Sequence, residues 1–172
     1  MSDIVIREAV PQDAPGIARV HVITWRDAYR NHLPSDFLAG LSIEKRTEVW
    51  RRLLEEQAGQ RTVFVAEIDH TIIGFSMIGK SLDSDADEYT GELYALYIDP
   101  AYKRQGLGSM LLHIALEELR NRGYTNVTLW VPSKNIGART FYERRGWFED
   151  GSVKIDTSDR LDLHETRYRI IF

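Results

Sequence analysis

A short basic segment rich in glycine, KRQGLGS at positions 103–109, has residue types and a spacing that suggest anion binding. Gly106 and Gly108 stand where a helix must begin, although glycine destabilises a helix interior by about 1 kcal/mol relative to alanine. The first turn of a helix offers unpartnered backbone N–H groups and the positive end of the helix dipole. Glycine has no Cβ atom, so a phosphate can approach that backbone closely. Lys103 and Arg104 would add positive charge. In an alternative interpretation, the glycines only ease a tight turn.

Two familiar nucleotide-binding motifs do not match this segment. The phosphate-binding loop GxxxxGK[S/T] does not occur, and a GxGxxG fingerprint would need a glycine where the chain has Leu111. The sequence therefore predicts neither ATP nor NAD. It has no cysteine, which excludes an acyl-cysteine intermediate and thiolate metal sites. Its histidines show no H-x-x-x-H pair, so we predict no metal site.

Apolar periodicity and turn residues predict the elements around the segment. The predicted strands are IVIREAV (4–10), TVFVAEID (62–69), TIIGFSMIGK (71–80), GELYALYI (91–98), NVTLWV (126–131) and two strands between 147 and 172. The predicted helices run from 11–13 to about Tyr29, from Pro34 to Gly40, from Ser42 to about Gln57, from Gly106 to Arg122 and over 135–146. This order predicts an α/β (α+β) fold, in which a mixed sheet carries helices on its faces. The length predicts one domain spanning residues 1–172.

Composition narrows the class of protein. The net charge of −4 argues against a general nucleic-acid binder, and no apolar run approaches the roughly 18 residues of a membrane span. The N-terminus lacks the pattern of a secretory signal, so with no cysteine we expect a cytoplasmic protein. Charge is unevenly distributed, because residues 100–146 are basic while 81–92 hold five acids and no base.

Two motifs resemble those of the GNAT superfamily of N-acetyltransferases. KRQGLG is similar to the family's [Q/R]-x-x-G-x-[G/A] turn, with Lys103 where the family prefers Gln or Arg. NIGARTFYERRGW at 135–147 resembles the N-x-x-A-x-x-F-Y-x-x-x-G-[F/W] helix. The strand order also fits, and the resemblance spans essentially the whole chain. It implies a mostly antiparallel sheet of six or seven strands, helices on both faces and central strands that splay apart.

The resemblance further implies acetyl-coenzyme A as cosubstrate. The turn from Arg104 to Ser109 would hold the pyrophosphate through backbone N–H groups, and the edge of the preceding strand at 96–98 would pair with the pantetheine arm. Asn135 would lie beside that arm. The cofactor-binding residues expected from the resemblance are Leu96, Tyr97, Ile98, Lys103, Arg104, Gln105, Gly106, Leu107, Gly108, Ser109, Asn135, Ala138 and Tyr142.

The chemistry that the resemblance implies is direct attack of an amine on the thioester. An alkyl amine has a pKa of about 10.4, so roughly one molecule in 10³ is neutral at pH 7 and a base is useful. Glu92, at the start of the strand before the turn, is the candidate base; the alternative is an exposed acid at a strand end. Tyr142 would lie near the sulfur and is the candidate general acid; the alternative is a packed core tyrosine.

Acceptor residues are less well marked in the sequence. Trp25 and Tyr29 share a helix face where the family places substrate-binding elements, although core packing would give the same spacing. The acidic run DSDADE (83–88) is interpreted as a solvated loop, or as a device that steers a polyamine or basic peptide. Arg144 and Arg145 are interpreted as a solvated helix face, whereas Arg139 could contact a phosphate.

Three functions remain open at this point. The first is acetylation of a small amine, and the second is acetylation of a protein N-terminus or lysine. The third is a non-catalytic acyl-coenzyme A binding module. The expected partners are a small-molecule or peptide amine, with no nucleic acid and no membrane, and the family resemblance allows a homodimer.

Overall fold

The computed structural model describes residues 2–56, 60–158 and 161–172. Within these residues seven strands form one sheet: β1 (Val5–Glu8), β2 (Arg61–Ile68), β3 (Thr71–Lys80), β4 (Thr90–Ile98), β5 (Asn126–Pro132), β6 (Phe148–Asp156) and β7 (Leu163–Ile171). The α-helices are α1 (Ala14–Ala28), α2 (Ser35–Ala39), α3 (Ile43–Glu56), α4 (Leu107–Asn121) and α5 (Ile136–Glu143). Short 3-10 turns precede α1 at Pro11–Asp13 and follow β4 at Pro100–Tyr102.

The strands lie in the order β1-β2-β3-β4-β5-β7-β6. All neighbouring pairs are antiparallel except β4 and β5, which are parallel. The mixed, mostly antiparallel sheet predicted from the sequence is therefore confirmed, with seven strands. The parallel pair needs a crossover connection, and α4 supplies it.

The central strands separate shortly after they meet. β4 pairs with β5 only over Thr90–Glu92, opposite Asn126–Thr128, although both strands continue beyond that point. On its other side β4 follows β3 to its end, with a register shift that leaves Tyr94 as an extra residue. A bulge of this kind bends and twists its strand. The bend at Tyr94 therefore coincides with the opening of a gap between β4 and β5.

Helices cover both faces of the sheet, and each face has its own core. On one face α1 and α3 pack over the strands, with Ile17, Trp50 and Phe75 among the buried residues. On the other face α4 and α5 pack over β4, β5 and β7, with Leu119 and Leu129 fully enclosed. In the described part of the chain, no helix combines the length and the apolar character of a membrane span.

Most predicted elements are observed, with small shifts at their ends. α1 begins at Ala14, because Pro11–Asp13 forms a 3-10 turn instead of the first helical turn. α5 ends at Glu143, because Gly146 takes a left-handed φ of 87° and the Trp147 N–H bonds back to the Tyr142 carbonyl. The predicted end of α3 near Gln57 lies outside the described residues.

The acidic run after β3 is neither a freely solvated loop nor a free steering surface. Arg167 of β7, whose side chain is 6% exposed, bonds to Asp83 at 3.1 Å, to Asp85 at 2.7 Å and to Asp150 of β6 at 2.7 Å. Asp83 also accepts a hydrogen bond from the Trp130 indole at 2.9 Å. Sequence spacing could not predict this, because the acids and the arginine are more than 80 positions apart. The cluster fixes the loop to the sheet.

We expect Arg167→Met to lower the free energy of unfolding by about 3 kcal/mol, because it leaves buried carboxylates without their cation. Urea denaturation followed by circular dichroism measures the change. The control is Arg51→Met, which removes an exposed ion pair with Glu48 on α3 and should cost less than about 0.5 kcal/mol. Equal effects of the two substitutions would contradict a structural role for the Arg167 cluster.

Candidate functional site

The N-terminus of α4 presents backbone donors to its surroundings. Gly106 caps the helix in a left-handed conformation with φ 81°, and the first helical hydrogen bond runs from Met110 N to Gly106 O at 3.1 Å. The N–H groups of Leu107, Gly108 and Ser109 therefore have no intrahelical acceptor. Together with the helix dipole, they make this end of α4 suitable for an anion.

The two glycines of the turn serve different purposes. A Cβ atom at Gly106 would meet nothing within 4 Å, but the positive φ favours glycine there. A Cβ atom at Gly108 would lie 3.3 Å from the Phe141 ring and 3.9 Å from Ile98 Cγ1. Gly108 thus lets α4 approach both α5 and the end of β4. This packing role was not foreseen from the sequence.

Cationic side chains around this helix end are arranged differently from the sequence interpretation. Arg145 is exposed, as the sequence predicts, but its guanidinium also lies 3.7 Å from the Phe141 ring centroid and donates to Ser109 Oγ at 2.6 Å. Lys103 is paired with Asp27 of α1 at 2.5 Å, so its charge is partly neutralised. Arg104 is exposed, has a left-handed φ of 63° and has no recorded ion pair with the described residues.

The motif residues Asn135 and Ala138 and the neighbouring Arg139 make hydrogen bonds that stabilise α5 and its surroundings. Asn135 caps the helix, since its Oδ1 accepts from Ala138 N at 3.1 Å. Arg139 is held by the Tyr168 hydroxyl, the Ser133 carbonyl and Glu149. Asn135 and Ala138 thus form one capping pair that follows the C-terminal end of β5. The three guanidinium nitrogens of Arg139 each already donate a hydrogen bond within the protein.

The last residues of β4 have a free backbone edge. Leu96, Tyr97 and Ile98 pair with β3 on one side, but none of the described strands pairs with them on the other. The contact distance between Gly108 and Ile98 places the start of this edge beside the N-terminus of α4. The edge therefore runs from the N-terminus of α4 to the gap in the sheet, and an extended ligand could pair with it.

A cavity of about 220 Å³ lies at the other end of this edge. Its lining combines aromatic rings, three carboxylates and one lysine: Trp25, Tyr29, Glu92, Leu93, Tyr94, Tyr97, Trp130, Pro132, Lys154, Asp156, Leu163 and Glu165. The predicted acceptor residues Trp25 and Tyr29 are both present, with ring centroids 4.8 Å apart. The structure thus brings them together with the candidate base Glu92.

Tyr97 is held in a fixed position at this cavity. Its ring stacks on His21 of α1, with centroids 5.4 Å apart, and its hydroxyl accepts from the Trp25 indole at 3.4 Å. Burial lowers the pKa of His21 to about 4, so the imidazole is neutral near pH 7. Among the described residues, no three His, Asp or Glu side chains are placed so that together they could hold a metal ion.

Glu92 is not an exposed strand-end acid. It is 7% exposed, and its Oε2 accepts a hydrogen bond from Leu82 N at 2.9 Å. Burial raises the pKa of Glu92, with the charge of Asp83 acting in the same direction. A fixed carboxylate with a raised pKa facing a cavity is suitable for accepting a proton.

Sequence reasoning missed a second carboxylate, Glu165 of β7. It is 9% exposed and is the cross-strand partner of Lys154 on β6, whose Nζ lies 3.9 Å from Glu165 Oε1. Burial raises the pKa of Glu165 to about 6, and the charges of Asp156 and Glu92 add to the effect. The signal in the sequence was an acid within a predicted strand, where unpaired acids are uncommon.

Tyr142 lies on the opposite side of the gap from the cavity. Its ring packs edge-on against Phe141 and Trp147, at 5.1 and 5.6 Å, within the core beneath α4. The hydroxyl has no hydrogen bond to a described residue, yet it is not among the fully enclosed unpartnered polar atoms. Burial raises the pKa of Tyr142, and Tyr97 acts in the same direction.

Comparison with known proteins shows to which family this chain belongs. The family model described as the acetyltransferase (GNAT) family matches residues 21–147. The chain belongs to the GNAT acetyltransferase family. A Bacillus subtilis protein named Uncharacterized N-acetyltransferase YuaI is 33% identical over 133 residues, covering 77% of this chain and 73% of the relative. Probable N-acetyltransferase Rv2775 of Mycobacterium tuberculosis is 30% identical over 153 residues, covering 87% and 83%.

Solved structures share the fold of this acetyltransferase. PaiA N-acetyltransferase from Thermoplasma acidophilum, solved in complex with coenzyme A, has a TM-score of 0.73 at 21% identity and covers 99% of both chains. GNAT acetyltransferases use acetyl-coenzyme A and act on amines, so this chain is an acetyl-coenzyme A-dependent acyltransferase. The resemblance noted in the sequence is confirmed.

The residues present fit acetyl-coenzyme A. The unpartnered N–H groups at 107–109 suit a pyrophosphate, and the left-handed Gly106 leaves open space beside them. The free edge at 96–98 suits the amide-containing pantetheine arm, because it offers backbone donors and acceptors in an extended row. Acetyl-coenzyme A supplies the activated acetyl group.

We expect Ser109→Asp to separate coenzyme binding from folding. An acid in the first turn of α4 stabilises the helix by about 0.3–1 kcal/mol, but it repels a pyrophosphate at the same N–H groups. Acetyl-coenzyme A at 100 times its dissociation constant should raise the melting temperature of the wild type by roughly 5–10 °C. The acidic variant should lose most of this rise while melting no lower without ligand.

The matched control is Ser109→Asn, which has the same shape without the charge. It should retain most of the rise in melting temperature. An undiminished rise in the acidic variant would show that the phosphates do not bind at this end of α4.

We expect Glu165 to make folding stability fall as the pH rises. Because its pKa rises from 4.5 to about 6 on folding, the native protein binds more protons than the unfolded chain in that window. The free energy of unfolding should therefore drop by about 2 kcal/mol between roughly pH 4 and pH 8 on account of this group. Because His21 and other groups titrate over the same range, the effect is measured by urea denaturation as a difference: the free energy of unfolding of the wild type relative to Glu165→Gln should fall by this amount as the pH rises. A difference that does not change with pH would contradict the assignment.

Proposed function

We propose that this acetyltransferase is a single domain that transfers the acetyl group of acetyl-coenzyme A to the primary amine of a small molecule by direct attack. One observation carries the proposal: the free edge of β4 runs from the N-terminus of α4 to the cavity that holds Glu92. A donor bound along that edge would present its acetyl group at the mouth of the cavity. Direct attack is the simplest route, because the chain has no cysteine to carry an acetyl group.

The acceptor must lose a proton before it can attack. An alkylammonium with a pKa of about 10.4 costs about 4–5 kcal/mol to deprotonate at pH 7. We assign this step to the oxygen of Glu92 that is not bonded to Leu82 N, either directly or through one water molecule. The raised pKa of Glu92 supports this role, because it makes the carboxylate a stronger base than an exposed glutamate.

The leaving sulfur must gain a proton or a hydrogen bond. We assign this role to the hydroxyl of Tyr142, which has no protein hydrogen-bond partner among the described residues and lies across the gap from Tyr97. Its raised pKa keeps the hydroxyl protonated near pH 7, so it can donate. The gap between β4 and β5 is what would allow a group beneath α4 to act on an acetyl donor that faces the other side.

The size of the cavity favours a small acceptor over a protein. A volume of about 220 Å³ accommodates a small amine, which supports a small-molecule acceptor. Trp25 and Tyr29 of α1 line it, and the rings would contact the carbon chain of the acceptor. Acetylation of a protein N-terminus or a lysine is the alternative, and it predicts that peptides are better acceptors than small amines.

We expect Tyr142→Phe to lower kcat by about 10²- to 10⁴-fold with little change in coenzyme affinity, because it removes the proposed proton donor and retains the ring. Release of free thiol from acetyl-coenzyme A, with a panel of small primary amines and of peptides, measures turnover. Calorimetry with coenzyme A measures affinity.

The control is Tyr89→Phe, which changes an exposed tyrosine outside the cavity and should leave kcat unchanged. Unchanged kcat in Tyr142→Phe would remove the general-acid assignment. Binding of coenzyme A by the wild type with no thiol release from any amine or peptide would favour the non-catalytic binding module.

A further inference from the structure

Glu165 is a buried carboxylate whose charge is poorly compensated. No described residue donates a hydrogen bond to it, and the Lys154 ammonium at 3.9 Å is beyond hydrogen-bond distance. A buried carboxylate normally has a close cationic partner or several donors. A ligand that enters the cavity with its own cation could supply what the protein lacks.

Lys154 shows how an alkylammonium is accommodated here. Its Nζ lies 4.3 Å from the centroid of the Trp130 ring, as well as beside Glu165. The combination of an aromatic face and a carboxylate is a favourable environment for an ammonium group. Trp25 and Tyr29 provide further aromatic rings in the same cavity, which could contact a second ammonium group.

The charges of the cavity are not balanced by the protein. Its lining holds three carboxylates, of Glu92, Asp156 and Glu165, against the single ammonium of Lys154. When all are ionised, the cavity therefore carries a net charge of minus two. A ligand with two ammonium groups would neutralise it, whereas a monoamine would leave one charge uncompensated.

Glu92 and Glu165 lie at different positions along the strand direction of the sheet. Glu92 is in register with Thr128, and Glu165 with Pro132, so the four intervening residue steps of β5 separate them by roughly 13 Å along the strand. Both side chains line the same cavity. A ligand that touches both must be elongated, with several atoms between its charged ends.

We propose that the acceptor is a linear diamine, with one amine at Glu92 for acetylation and the second ammonium bound by Glu165 between the aromatic rings. This inference rests on the proposed function, because it assigns the acceptor of the same site. Glu165 is then a specificity residue, and Glu92 remains the base. The acidic loop has no part in it, since Arg167 occupies Asp83 and Asp85.

The experiment compares 1,5-diaminopentane with 5-aminopentan-1-ol, which has a neutral hydroxyl in place of the second ammonium. Thiol release is measured near pH 8, where Glu165 is ionised. We expect kcat/KM for the diamine to exceed that for the amino alcohol by about tenfold or more, which corresponds to about 1.4 kcal/mol. Diamines of three to eight carbons then locate the best spacing.

Glu165→Gln should remove the preference for the diamine. We expect KM for the diamine to rise about tenfold at nearly constant kcat, with little change for the amino alcohol. The control is Glu117→Gln, an exposed acid on α4 that should leave both acceptors unaffected.

Two results would overturn the inference while leaving the proposed function intact. One is equal kcat/KM for the diamine and the amino alcohol. The other is an equal loss for both acceptors in Glu165→Gln, which would mean that Glu165 acts in catalysis or in folding. If no amine releases thiol, the proposed function fails.

In that case, calorimetric titration of 1,5-diaminopentane into wild type and Glu165→Gln, with coenzyme A present, still tests whether Glu165 binds the second ammonium. Tighter binding to the wild type supports the inference, and equal or absent binding overturns it.

Discussion

The separation of β4 from β5 is the constraint on which the rest of this structure depends. The two strands pair over three residues and then part, where the extra residue Tyr94 bends β4. Backbone groups in a sheet centre are normally paired, so a free edge at this position is available for a ligand. Tyr142 packs in the core beneath α4, whereas Tyr97 packs against the core beneath α1.

The charged side chains on the two sides of Trp130 differ in how closely they are paired. Arg167 pairs with Asp83, Asp85 and Asp150, and Arg169 also pairs with Asp150. This ion-pair cluster fixes the loop whose Leu82 N–H bonds to Glu92. In the neighbouring cavity three carboxylates face one lysine, and burial raises the pKa values of Glu92 and Glu165. One region therefore stabilises the fold, whereas the other costs stability above about pH 6 and is left for a ligand.

The residues of the basic glycine segment have separate structural roles at the start of α4. Gly106 supplies the left-handed cap, Gly108 the close contact with Phe141, and the N–H groups that follow remain available. Arg145 reaches this site from the end of α5 through its contact with Ser109. The anion-binding end of the helix is thus built from two segments that lie more than 30 positions apart in sequence.

The sequence by itself determined the elements, their order and the family. Periodicity, helix caps and turn residues are local signals, so the strands, the helices and the turn at Gly106 could be predicted from short stretches. The pairs that decide the site are not local. Arg167 with Asp83, and Glu165 with Lys154, meet only because β7 lies between β5 and β6. Strand order placed these charges, and burial raised the pKa of Glu165; neither can be read from a single segment of sequence.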